Sequence, residues 1–186
     1  MNKDQILIAS AQIIRQKGFQ AASMADIAEA VHLQKASLYH HFSSKQEILL
    51  LLLDRALDLV IERVSTVMSQ DISADEKLCR AMDVYLETLE NHSALASVLL
   101  FEHRSLDPEY RLRHIPRRDK FERLWRDLLQ EGVESGVFRN TDPAVAARAL
   151  LGTMNWTMTW FRPDGPLSMR EISERFSALF LDGLRA

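Results

Sequence analysis

The sequence has few of the residues that staple small folds together. It carries one cysteine, Cys79, in 186 residues. An intrachain disulfide and a zinc site built on cysteines are therefore excluded, and Cys79 reads as a small hydrophobe on a helix. Gly and Pro are scarce, six and five. Valine- and threonine-rich alternating runs closed by Asn-Gly or Asp-Gly turns are missing, which argues against a β-rich fold. No long hydrophobic run is present. Ile48–Leu53 is closed by Glu47 and Asp54, far short of a membrane span. The N-terminal stretch is broken by Ser10, Gln12 and Arg15 and lacks the apolar region of a signal peptide. Gly-x-Ser-x-Gly, Walker and Gly-x-Gly-x-x-Gly patterns are absent, and so are His-x-x-x-His and His-Glu-x-x-His. These absences predict a soluble cytoplasmic protein that is not an enzyme, with no cofactor and no metal. With a net charge of −3, any nucleic-acid surface must be local.

What is present is helical. The chain is 47% hydrophobic and 26% charged, with Ala, Leu, Glu, Arg, Gln and Met dominating. Four Ser-x-x-acid patterns mark helix starts: Ser23/Asp26, Ser44/Glu47, Ser73/Glu76 and Ser168/Glu171. Asp107-Pro108 and Asp142-Pro143 add cap-plus-proline starts, while Gly18 and Gly136 fall where helices should stop. The spacing predicts nine helices, over about 3–17, 24–31, 35–41, 45–69, 74–91, 93–105, a seventh running to about 135 with an interruption at Pro116, then 143–161 and 169–184. Ile6, Ala9, Ile13 and Ile14 are expected on the apolar face of the first. The fourth is long and carries a stripe of Leu49, Leu52, Leu53, Ala56, Val60, Val64 and Val67. Short helices give way to this long one near Ser43–Lys45, which predicts a domain of residues 1–46 and a second of 47–186.

The second and third helices are short and close together. Ala28 permits a close crossing, and Ile27, Val31, Leu33 and Leu38 supply a shared core. Polar side chains are left on the outside, as a helix-turn-helix needs when it presents one helix to a major groove. Three of the six histidines lie between His32 and His41. His40 and His41 are adjacent, about 100° apart on a helix, and poorly placed to chelate one ion. Lys17–Leu49 resembles the N-terminal DNA-binding domain of the TetR family of bacterial repressors. The matching residues are Gly18-Phe19, Ser23, Asp26-Ile27-Ala28, Lys35, Ser37-Leu38-Tyr39, His41-Phe42, Ser44-Lys45 and Glu47. The sequence departs from that pattern at His32 and Ala36, where glycine is usual. The resemblance implies an all-α fold, a three-helix helix-turn-helix domain followed by a helical ligand-binding and dimerisation domain. It also implies DNA contacts from Gln34, Lys35, Ser37, Tyr39 and His40, with Tyr39, His41, Lys45 and the helix start at Ser23 holding phosphates.

The same resemblance implies a four-helix dimer interface formed by the last two helices and their copies. Leu150, Ile172, Phe176, Leu179 and Phe180 are the candidates, and ordinary intrachain core is the alternative. Residues 111–126 hold seven Lys/Arg against two acids, and Asn155–Ser168 is rich in aromatics. This part resembles TetR-family regulators that sense acyl-coenzyme A esters. The implied effector residues are Phe101, Arg104, Arg117, Arg118, Trp125, Met154, Trp156 and Trp160. Arginines would meet phosphates at a mouth, and apolar side chains would line a tunnel. The expected function is a ligand-responsive repressor that binds a palindromic operator as a homodimer and is released by a hydrophobic effector such as an acyl-CoA. Two other readings stand beside it: an uncharged hydrophobic effector or drug, and a lipid-binding protein with a vestigial DNA-binding domain.

Overall fold

A computed structural model describes residues 2–185. Their nine α-helices are α1 Lys3–Lys17, α2 Met24–Ala30, α3 Lys35–His41, α4 Lys45–Met68, α5 Ala74–Asn91, α6 Ser93–Phe101, α7 Pro108–Glu134, α8 Pro143–Trp160 and α9 Met169–Leu184, with a 3-10 turn at His103–Ser105. The fold is all-α. Among the described residues the only β pairing is an isolated bridge between Phe138 and Arg185, and no helix is long and apolar enough to cross a membrane.

The helix starts follow the local chemistry. Ser23/Asp26 and Ser168/Glu171 form closed capping boxes, and Asp142 accepts the amides of Ala144 and Val145. Two of the expected boxes differ. The Ser44 hydroxyl accepts the Glu47 amide, but the Glu47 carboxylate reaches one residue further back, to the amide and hydroxyl of Ser43. The Ser73 hydroxyl donates to Asp75 rather than pairing with Glu76. A box that the sequence reading missed, Asn2 with Gln5, starts α1. Gly18 and Gly136 stop their helices at φ 75° and 73°. His32 is the one non-glycine residue at positive φ among those described, at 55°. It carries the α2–α3 turn where glycine was expected, in the left-handed region that histidine enters more readily than most residues.

Two further expectations are corrected. Pro116 does not interrupt α7, which runs unbroken from Pro108 to Glu134. Proline cannot donate to the carbonyl four residues back, but Leu112 and Pro116 are both exposed, so water can reach the freed carbonyl. The buried face of α1 is Ile6, Leu7, Ser10, Ala11 and Ile14, with Ala9 and Ile13 only half-buried.

The described residues form two compact units. One is the chain up to Asp58 together with His92–Arg117; the other is Leu59–Asn91 together with the chain from Arg118. The boundaries fall inside α4 and α7. In the first unit, α1 packs on α6 and α2, and α2 on α3, around Ile6, Ile14, Ile27, Leu38 and Phe42. In the second, α5 packs on α9 and α8. The predicted α4 stripe is buried along its length. Gly132 lets the Phe138 ring close the end of α7: a Cβ at Gly132 would lie inside the ring's van der Waals surface, and the Phe138 amide donates to the Gly132 carbonyl at 2.8 Å. Gly132→Ala is therefore expected to destabilise the protein by about 1–3 kcal/mol, read from denaturant unfolding.

Acid sensitivity follows from the caps. The Lys17 ammonium, then the Ser23 hydroxyl and amide, hold the Asp26 carboxyl far below the usual carboxylate range. Glu171, held by the Ser168 amide and hydroxyl, is lowered as well. The unfolded chain takes up these protons first as pH falls. Their contribution is complete only above about pH 5, beyond the unfolded-state values, and is lost as pH drops through the lower folded-state values. Asp26→Asn should flatten that acid limb in urea midpoints measured from pH 6 downward.

Candidate DNA-binding helix and its supports

The α2–α3 pair lies in the first unit. Leu38 is fully buried and Ala28 nearly so, which seats α3 across α2. The pinning leaves Gln34, Lys35, Tyr39 and His40 exposed, with Ser37 and His41 half-buried. No acidic residue falls between Gln34 and Phe42. This face therefore combines one fixed cation with hydroxyl, amide and imidazole groups, a set suited to phosphate oxygens and base edges. His41 turns partly inward, its ring 6.4 Å from that of Phe42. Ser23 is at the start of α2, and its hydroxyl donates to Asp26 at 2.7 Å. Among the described residues no cluster of three metal-ligating side chains forms.

Lys45 does not reach outward. Its ammonium lies 2.8, 3.3 and 2.8 Å from the carbonyls of Phe19, Gln20 and Ala22 and 4.4 Å from the centre of the Phe19 ring. An ammonium has three donors, and three acceptors surround this one. Lys45 thus ties the start of α4 to the α1–α2 turn, a structural role that the expected phosphate contact did not include. From the other side, Glu102 at the end of α6 accepts the Phe19 amide at 3.1 Å and the Ser105 hydroxyl at 3.2 Å. Glu102 lies 83 positions from the residue it supports, and no local sequence signal marks it.

A polar ladder joins α4 to the start of α7 within the same unit. The Gln46 carboxamide pairs with the Ser105 carbonyl and the Asp107 amide. Nδ1 of buried His114 is 2.9 Å from Asp54, and Arg117 bridges Asp54 at 2.9 Å and Asp58 at 3.0 Å. The Asp58 hydrogen bond, ahead of the nearby carboxylate charges, raises the pKa of Arg117 further. Arg117 is thus paired with α4 in this structure. Arg104 is exposed and Phe101 is 50% exposed.

In the second unit, Trp125 and Met154 are fully buried. Trp156 and Trp160 are not beside them as interior lining: they are 65% and 44% exposed. Arg118 is exposed and pairs with its neighbour Asp119. Leu150 and Ile172, expected at a dimer interface, are 1% and 2% exposed. Their faces of α8 and α9 point into their own core. The outward face of α8 is Val145, Ala149, Gly152, Trp156 and Trp160. On α9, Leu179 is 70% exposed, and Phe176 and Phe180 are half-buried. A pair absent from the sequence reading is Tyr85 with Asn155, the hydroxyl donating to the amide oxygen at 2.6 Å.

Residues 71–184 match the tetracyclin repressor-like C-terminal domain, and residues 6–63 match the tetR family of bacterial regulatory proteins. The chain belongs to the TetR family. It is a ligand-responsive, DNA-binding transcriptional regulator and not an enzyme. It is similar to the TetR-family regulator PfmR from Thermus thermophilus, with 39% identity over 98% of this chain and 100% of that one at a TM-score of 0.90. It is 29% identical to the transcriptional repressor KstR2 of Mycobacterium tuberculosis (strain CDC 1551 / Oshkosh), over 98% of this chain and 92% of the relative. The structure of AibR in complex with isovaleryl coenzyme A and operator DNA is 28% identical, over 95% of this chain and 96% of that one, with a TM-score of 0.89.

In this TetR-family chain α2 and α3 thus follow a turn in which the N–H and C=O of Phe19 are each gripped by a charged side chain. Lys45→Ala should weaken operator binding through misplacement of α2 and α3. The slope of log affinity against log salt should stay as in the wild type. Loss of a direct phosphate contact would instead reduce that slope by about 0.9.

Proposed function

We propose that the protein represses transcription as a cytoplasmic homodimer, binding a palindromic operator through α3 and leaving it when a hydrophobic effector bearing a coenzyme A thioester binds. Residues 1–46 act as the DNA-binding domain, and 47–186 as the effector and dimerisation domain. The observation that carries the reading is the likeness, over nearly the whole chain, to AibR, whose structure holds isovaleryl coenzyme A and operator DNA together. The outward face of α3 supports the DNA half of it. Gln34, Lys35, Ser37 and His40 would meet base edges, and Tyr39, His41 and the α2 start at Ser23 would meet phosphates. The aromatic interior around Trp125 and Met154 suits an acyl group. Arg118, whose charge is exposed, is the partner assigned to the nucleotide phosphates.

For dimerisation we assign the outward stripe of α8 (Val145, Ala149, Gly152, Trp156, Trp160) with Phe176, Leu179 and Phe180 of α9. Gly152 has open space around it, which permits close helix approach. Two recognition helices related by a two-fold axis then address half-sites one helical turn apart. Effector binding favours a state in which α4 tilts and that spacing is lost, which requires tighter effector binding to the DNA-free state. A second reading, an uncharged hydrophobic effector, is favoured by one observation: Arg117 is already paired with Asp54 and Asp58.

Fluorescence anisotropy with an operator selected from random duplexes tests this. Medium-chain acyl-CoA is expected to weaken operator binding by about tenfold or more, with little effect from coenzyme A or the free fatty acid. Equal release by the free acid favours the uncharged effector, and no preference for a palindrome contradicts the repressor reading. Trp156→Arg, which places like charges near the two-fold axis, should shift the protein to monomer in sedimentation and abolish operator binding.

A further inference from the structure

Almost every buried polar side chain in the second unit has a partner. Thr88 donates to the Val84 carbonyl, Thr157 to the Met154 carbonyl, Ser177 to the Met82 sulfur and Tyr85 to Asn155. One group breaks the pattern. Nε1 of Trp125 is buried and has no hydrogen-bond partner among the described residues. Trp125 is 0% exposed and is held by two rings: Tyr85 at 5.9 Å and 73°, and Phe121 at 6.3 Å and 83°. Tyr85 and Phe121 are themselves 5.4 Å apart. An indole nitrogen only donates, and a donor sealed away from water without an acceptor is costly to keep. Phenylalanine would fill an apolar site of this kind without that cost.

Building on the function proposed above, we infer that the Trp125 indole N–H is a fixed donor for a carbonyl oxygen carried within the hydrophobic part of the effector. Two facts support a ligand rather than a neighbouring side chain as the acceptor. The Tyr85 hydroxyl, the polar atom belonging to the adjacent ring, is spent on Asn155 at 2.6 Å. That bond also orients Asn155, with its oxygen occupied and its NH2 group left as a further donor. The cluster therefore offers donors where a plain hydrocarbon chain would bring nothing to accept them. It selects for a hydrophobic molecule with an oxygen acceptor, either the thioester carbonyl or an oxo group farther along the acyl portion.

The test is calorimetric binding to wild type and Trp125→Phe of three ligands: a medium-chain acyl-CoA, the S-alkyl-CoA thioether of equal length, and an oxo-substituted acyl-CoA. If the thioester supplies the acceptor, the variant loses about tenfold in affinity for acyl-CoA and nothing for the thioether. If an oxo group supplies it, only the oxo-substituted ligand loses affinity. Equal affinities of wild type and variant for all three overturn the inference. Wild type that binds no coenzyme A ester contradicts the proposed effector instead. The inference is then decided on wild type alone, by the indole N–H signals of its three tryptophans in nitrogen–proton correlation spectra, with the Trp125 signal assigned by its absence in the variant. A medium-chain ketone should move the Trp125 proton downfield and the alkane of equal length should not; no movement with the ketone overturns the inference.

Discussion

The α2–α3 surface depends on how the backbone of Phe19 is held. Its N–H is taken by the Glu102 carboxylate from α6 and its C=O by the Lys45 ammonium from α4, while the Phe19 ring is buried under that same ammonium. Gly18, at φ 75°, turns the chain so that these two groups can be reached from two helices. Everything after it, the capped start of α2, the His32 turn and the α3 face, follows from where that turn is held. Charge-assisted hydrogen bonds to backbone groups are directional and stronger than neutral ones. Two of them on the successive peptides that flank one residue leave the turn little freedom, so a shift of α4 or α6 is passed to the helix-turn-helix.

The ladder between α4 and α7 extends the same logic. Gln46, Asp54 and Asp58 lie on one side of α4 and meet Ser105, Asp107, His114 and Arg117. A movement of α7 therefore reaches α4 through bonds, not only through apolar packing, which slides more easily. The ladder also explains why a basic stretch in α7 is not simply a free phosphate-binding surface.

The helices were legible because their signals are local. Ser23/Asp26, Ser168/Glu171, Asp142-Pro143, Gly18 and Gly136 each act within a few residues, and the α4 stripe repeats with the helical period. Pro116 misled because proline's cost inside a helix depends on whether the freed carbonyl is wet, and that is a tertiary property. The same limit applied to function. Lys45 and Glu102 act on residue 19 from 26 and 83 positions away, and the acids that claim Arg117 lie 59 and 63 positions before it. A run of arginines reveals charge but not the partners that already use it. Likewise α8 is apolar on two faces. Leu150 and Met154 turned out to face inward, with Trp156 and Trp160 outward, and composition alone does not distinguish those faces.

In the proposed mechanism, effector binding displaces the two recognition helices. The most direct measurement is a pulsed electron–electron distance between spin labels at Ala30→Cys, an exposed position at the end of α2, on both protomers in a Cys79→Ser background. With operator bound, the account predicts one narrow distance distribution. With medium-chain acyl-CoA it predicts a displaced or broadened one. An identical distribution with the effector bound and the operator released would contradict it.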